Sequence, residues 1–199
     1  MPSMQRDCSV GRADVELYEA IRTRRTAHKW RPEPLADDVL NRLLEAAHWA
    51  PCHKLTWPWR FTVVGPETRA GLADIAVALK AAKSGPLTDD AATRTRAKLL
   101  NPGALVVVRQ KLLEDPFRRK EDYAATSCAI QNMCLAAAAE GLCAKWSTGG
   151  VTRAEATYAL LGHDPAIEEI VGFVAIGVPE RVLEGRRPPL EPAFVERVP

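Results

Sequence analysis

Much of what this chain can be is settled by what it leaves out. Its five cysteines, at 8, 52, 128, 134 and 143, form no Cys-x-x-Cys pair and no metal-finger spacing. An odd, scattered set fits a reducing cytoplasm better than a disulfide-stapled secreted scaffold. The four histidines, at 28, 48, 53 and 163, do not fall at metal-ligand spacing, and Pro51 separates His48 from His53. There is no Gly-x-Gly-x-x-Gly, no P-loop, no Gly-x-Ser-x-Gly elbow and no His-Glu-x-x-His. Charge of one sign is also lacking. Twenty-seven basic residues against 25 acidic ones leave a net +2, so global charge predicts no nucleic-acid partner. The first fourteen residues are polar and charged without an apolar core, unlike a signal peptide. No run is apolar enough for a membrane span. Tyr123 to Ala139, the most apolar stretch, holds Thr126, Ser127, Gln131 and Asn132, and reads as a helix buried within the protein or a subunit interface.

What is present is ordinary for a soluble domain: 199 residues, 47% apolar and 26% charged. That length buries a sizeable core. Residues 1–13 read as a flexible lead-in and 14–199 as one domain. From Asp14, a candidate cap, a short helix to about Arg24 turns Val15, Leu17, Tyr18 and Ile21 inward. Arg31-Pro-Glu-Pro is a stiff connector. Leu35, Val39, Leu40, Leu43, Leu44, Ala47 and Ala50 recur at helical spacing, with Asp37 and Asp38 in the first turn, where the helix dipole favours anions. Further helices are expected over 67–83, 89–100, 120–140 and 153–161. Strands are expected over 60–64, 104–108, 143–146 and 170–176. Strands separated by helices predict an α+β or α/β layered domain. The proline-rich tail after Arg186 is extended and suited to wrapping a partner subunit.

Chemistry concentrates in a few places. In Trp49-Ala-Pro-Cys-His-Lys-Leu-Thr-Trp-Pro-Trp-Arg-Phe61, Pro51 stops a helix and a polar, aromatic loop follows before a strand. Such a loop suits a planar, partly charged ligand, although Trp59 beside the strand reads as a core anchor and His53 and Lys54 alone as solvated. Residues 22–31 hold five Lys/Arg and a histidine without an acid. They read either as a cationic helix end, worth roughly 0.3–1 kcal/mol per charge, or as a phosphate clamp of arginine forks and a threonine hydroxyl. Ala144-Lys-Trp-Ser-Thr-Gly-Gly150 offers glycines for close backbone approach and Trp146 for ring packing, or is a plain strand-to-helix turn. Cys52 and His53 are sequence neighbours whose side chains point apart, which disfavours a catalytic pair.

Taken in order, these segments resemble the nitroreductase family of FMN-dependent oxidoreductases. Arg24-Arg25-Thr26, Pro32-Glu33-Pro34, the helix from Leu35 to Ala50-Pro51, and Trp57-Pro58-Trp59-Arg60-Phe61 carry the first half. Gly141-Leu142 to Trp146-Ser147-Thr148-Gly149, Val174-Ala175-Ile176-Gly177-Val178-Pro179-Glu180 and Arg187-Pro188-Pro189-Leu190-Glu191 carry the second. The likeness is greatest to the small members of that family. It implies an α+β fold with a central, mostly antiparallel sheet flanked by helices, in an intertwined homodimer with FMN at the interface. It further implies electrons from NADH or NADPH and ping-pong transfer to nitroaromatic or quinone-like acceptors. By position, Arg24, Arg25 and Thr26 would hold the phosphate with Arg187. Trp49, His53 and Lys54 would approach the flavin, from the partner subunit, and Trp146, Ser147 and Thr148 would line its other side. Threonine at 26 replaces the usual serine, and tryptophan at 57 replaces a glutamine. Two rival functions remain open. One is a flavin-binding storage or sensor protein without turnover, with Trp49 and Trp57 covering the substrate face. The other is a basic nucleic-acid module on residues 22–31.

Overall fold

The computed structural model of the chain describes residues 16–181, 184–190 and 194–198. The expected lead-in, the Asp14 cap and Val15 lie outside them. Helix α1, Leu17–Thr23, starts where the Glu16 carboxylate accepts the Tyr18 N–H at 2.9 Å. Its apolar face does not turn inward as expected. Leu17, Tyr18 and Ile21 are 61%, 65% and 48% exposed, and only Ala20 is buried. The helix packs through its small side, and its large apolar side chains have no cover within one chain.

Helix α2, Asp37–His48, carries Asp37 and Asp38 in its first turn and buries Leu40, Leu43 and Ala47. Strand β1, Trp59–Val63, leads to α3, Pro66–Ser84, which has proline in its first turn, where no N–H is needed. Helix α4, Asp89–Leu100, spans the expected residues, capped by the Thr88 hydroxyl on the Ala91 N–H. Strand β2, Ala104–Lys111, runs three residues beyond its valines, because Arg109 pairs with Glu168 and Gln110 donates to Glu169 on the neighbouring strand. Helix α5, Pro116–Ala139, begins four residues early at an Asp115 cap with proline beside it. Strand β3, Cys143–Ser147, helix α6, Glu155–Leu161, and strand β4, Glu168–Gly177, follow.

The sheet is wholly antiparallel in the order β1-β2-β4-β3, which makes the fold α+β, nitroreductase-like. Alternation on β2 divides the core in two. Ala104, Val106 and Val108 face α2 and α5, whereas Leu105 and Val107 face α3, α4 and α6. A register shift beside Val108 and Arg109 puts an extra residue into β4. The outer strands β1 and β3 thus lie at opposite edges, and each edge carries one of the segments singled out above.

Candidate functional site

A cleft of about 470 Å³ opens on the α3/α4 side of the sheet beside β3. Leu105, Phe173 and Ala175 from the sheet, with Leu99 and Val151, give it an apolar floor. Lys80 and Lys83 from α3, Lys98 from α4, Lys145 from β3 and Arg153 supply cations, and no carboxylate lines it. Burial, and then the neighbouring Lys98, hold the Lys145 ammonium below its usual value, so two like charges converge there without an acid between them. Lys80 donates to the Thr95 hydroxyl at 3.4 Å. Ser147, Gly149 and Gly150 close the end, and a Cβ at either glycine would meet no protein atom within 4 Å. Sequence reasoning found Ser147 and the glycines but missed the lysines. They are spread over three elements, two on α3 and one each on α4 and β3, and only the packing of those elements gathers them.

Arg24, Arg25 and Thr26 follow α1, and the buried Ala27 and Trp30 anchor them in the α3/α4-side core. A bridge between Trp30 and Pro179, with the Arg31 N–H on the Val178 carbonyl at 2.9 Å, ties this stretch to the end of β4. Arg25 donates to the carbonyls of Arg22 and Arg24 at 2.6 and 2.8 Å, while its Nε is buried without a partner. Its guanidinium lies against Gly185, so close that a Cβ there would sit 2.3 Å from the guanidinium carbon. The C-terminal segment therefore crosses Arg25 two residues before Arg187, which donates to the Arg186 carbonyl. Burial raises the Cys143 thiol, and the charges of Arg24 and Arg25 partly offset it. The two arginines thus stand beside the start of β3. Lys145 and Ser147 follow on the same face of that strand as Cys143, at roughly 6.8 Å per two residues. The arginine cluster thus stands at the start of the strand whose later residues, Lys145 and Ser147, line the cleft.

Trp146 is on the other face of β3. Its indole N–H donates to the Val171 carbonyl at 3.2 Å across Gly172, where a Cβ would come 2.1 Å from the indole nitrogen. The ring is thus fixed by the β4 irregularity and stands outside the cleft. Thr148 is exposed in the turn between the lining residues Ser147 and Gly149.

Trp49, His53 and Lys54 sit at the opposite sheet edge. Trp49 is 79% exposed, and His53 and Lys54 are also on the surface. Their loop is strained: Lys54, Leu55 and Trp57 have φ of 53°, 54° and 46°, a left-handed conformation that costs about 1–2 kcal/mol for each non-glycine residue. Two contacts hold it. The Cys52 sulfur accepts the Trp57 N–H at 3.1 Å, and the Thr56 hydroxyl donates to the buried Asp122 carboxylate at 2.6 Å. Trp59 is the core anchor expected, 3% exposed, with its indole N–H on His48 Nδ1 at 3.1 Å. Trp57 is 44% exposed and tilted over His48. Within one chain this loop does not reach the cleft.

Among the described residues, no three or more His, Cys, Asp or Glu side chains gather as a metal site. Cys52, Cys128, Cys134 and Cys143 are free thiols, and burial pushes Cys134 up to about 11, which makes it chemically quiet. No helix among the described residues is long and apolar enough to cross a membrane.

Comparison with known proteins agrees with this architecture. YfhC of Bacillus subtilis (strain 168), named as a candidate NAD(P)H nitroreductase, is 32% identical over 183 residues, covering 90% of this chain and 93% of that protein. The crystal structure of a nitroreductase-like family protein from Bacillus cereus superimposes with a TM-score of 0.79 at 28% identity, covering 92% of this chain and 96% of the other. A nitroreductase candidate from Desulfovibrio desulfuricans, solved in complex with FMN, gives a TM-score of 0.71 at 26% identity, covering 94% and 99%. Residues 21–178 match the model of the nitroreductase family, and the chain belongs to that family.

Proposed function

We propose that this chain is an FMN-dependent oxidoreductase that takes electrons from NADH or NADPH and passes them to nitroaromatic or quinone-like acceptors. The cleft carries this reading. Its apolar floor, carboxylate-free cationic rim and open glycine backbone suit a planar aromatic ring system that gains negative charge. The relative from Desulfovibrio desulfuricans, solved with FMN, and the NAD(P)H nitroreductase name of YfhC support the same cofactor and donor.

In this reading Arg24, Arg25 and Arg187 hold the phosphate as charge-assisted donors, with the Thr26 hydroxyl beside them. The Arg25 Nε is buried against Gly185 without a partner, so the C-terminal segment that carries Arg187 lies against this guanidinium. Lys145 and Lys98 would stabilise the negative charge that the ring gains, and Ser147 to Gly150 would offer backbone N–H groups. The bound flavin supplies two-electron transfer in alternating reductive and oxidative half-reactions, and the chain needs no nucleophile of its own. Trp49, His53 and Lys54 would act on the flavin of a second copy, which makes the working unit a homodimer. The exposed faces of α1 and of the 49–57 loop are the surfaces it would cover. Free, scattered thiols fit a reducing, cytoplasmic setting.

An absorbance spectrum of the purified protein, before and after anaerobic NADH and NADPH, tests the proposal. Flavin bands that bleach and return with a nitroaromatic or quinone support it. Bound flavin that neither nucleotide bleaches favours the storage or sensor reading, for which the bulky Trp49 and Trp57 on the loop speak. Protein that takes up no FMN refutes both.

A further inference from the structure

The cleft holds more positive charge than the proposed cofactor uses. The phosphate is accounted for by the arginine cluster, and the ring carries at most one negative charge when reduced. Lys145 and Lys98 suffice for that charge, and Lys80, still charged, is directed onto the neutral Thr95 hydroxyl. Lys83 and Arg153 remain. Both line the cleft, both are exposed, and the ion pairs formed among the described residues all lie elsewhere. A place in the last turn of α3 would justify Lys83 by the helix dipole alone. It does not explain Arg153, which comes from the turn after Gly150 and ends in the same cleft. Two cations from separate elements, in a cleft that no carboxylate lines, offer a site for a second anion.

We infer that Lys83 and Arg153 bind the 2′-phosphate of the electron donor, so that the cleft selects NADPH over NADH. The two donors differ only by that phosphate, a dianion near neutral pH that matches an arginine fork and an ammonium. The inference rests on the flavin reading above. An anionic group on the acceptor is the other possible source of the charge, and the reductive half-reaction, run without acceptor, separates the two.

The test uses the FMN-loaded full chain, mixed anaerobically with NADPH or NADH while flavin bleaching is followed. NADPH is expected to reduce the flavin with a second-order rate constant about tenfold or more above that for NADH at low salt, the size of one charge-assisted contact. The ratio shrinks as salt is added. Lys83→Glu combined with Arg153→Glu brings the ratio to unity or below, and Lys83→Arg preserves it. Equal rate constants in the unaltered protein, or a ratio that charge reversal leaves in place, overturns the inference. Equal rate constants in the unaltered protein, with oxidation of the reduced flavin by a nitrobenzoate slowed in the double variant, overturn it and assign the charges to the acceptor. Failure of the flavin reading shows earlier, as protein without flavin bands before any nucleotide is added.

Discussion

Arg25 is a side chain whose neighbours matter more than its exposure. Two of its bonds go to its own helix end, while Nε is buried beside Gly185 without a partner. Arg25→Ala is expected to weaken FMN by about 1.5–3 kcal/mol, the value of a hydrogen bond to a charged group, and to leave the apoprotein folded. Titration of apoprotein with FMN by flavin fluorescence measures this, and unchanged affinity would put the phosphate elsewhere. His163 makes a prediction about pH. Burial, and then Arg109, hold its imidazole below the usual value, and its Nε2 is buried without a partner. The unfolded chain therefore binds the proton first. His163 contributes its full stability above pH ~6.5, and that contribution is lost as pH falls through the lower folded value. His163→Gln is expected to flatten this part of the stability curve in denaturant unfolding between about pH 5 and 7. A slope unaltered by the substitution would assign the acid sensitivity to other groups.

At the scale of elements, the loop before β1 and the helix α5 act as a pair. Three residues in left-handed backbone would relax if nothing opposed them, and the Thr56–Asp122 bond is what ties the loop to α5. Asp122→Ala removes the acceptor and is expected to cost about 1–3 kcal/mol. It should also speed tryptic cleavage after Lys54, because the loop is then free to open. Cleavage at the rate of the unaltered protein would mean that the Cys52 contact suffices. This loop also shows where sequence reading stopped. Pro51, the aromatic residues and the anchoring of Trp59 were legible, because proline and a helical apolar stripe act locally. Asp122 was not, since it lies 66 residues from Thr56 in sequence and looks like any polar residue on an alanine-rich helix. Helix α4 was legible end to end, with a threonine cap, an acidic first turn and Asn-Pro-Gly behind it. Strand β2 was read short, because Arg109 and Gln110 belong in a strand only when Glu168 and Glu169 lie opposite.

At the scale of the whole molecule, one chain leaves apolar surface without cover. Leu17, Tyr18 and Ile21, on one seven-residue helix, are 61%, 65% and 48% exposed, more than a scattered single residue. Burial in a dimer returns roughly 25 cal/mol per Å² of apolar area before association costs. Tyr18→Glu with Ile21→Glu is expected to dissociate the proposed homodimer in sedimentation velocity. If the loop of one copy serves the flavin of the other, as proposed above, the same change should also strip FMN during gel filtration. A variant that stays dimeric would place the interface on another face, and a monomer that keeps its flavin would show that one chain completes the site.

The sequence by itself determined the elements and the family. Helical periodicity, caps, prolines and β-branched runs act within a few residues, and the motif order survives without any distance being known. It also marked Arg24, Arg25, Ser147 and the two glycines. Tertiary structure alone decided that Lys98 and Lys145 converge and that the C-terminal segment crosses Arg25 at Gly185. It alone turned Trp146 away from the cleft and separated the 49–57 loop from it by the width of the sheet. The physical reason is common to all four. Side-chain chemistry is written locally, but strand order and helix packing choose which distant residues share a space, and electrostatics act only across that space.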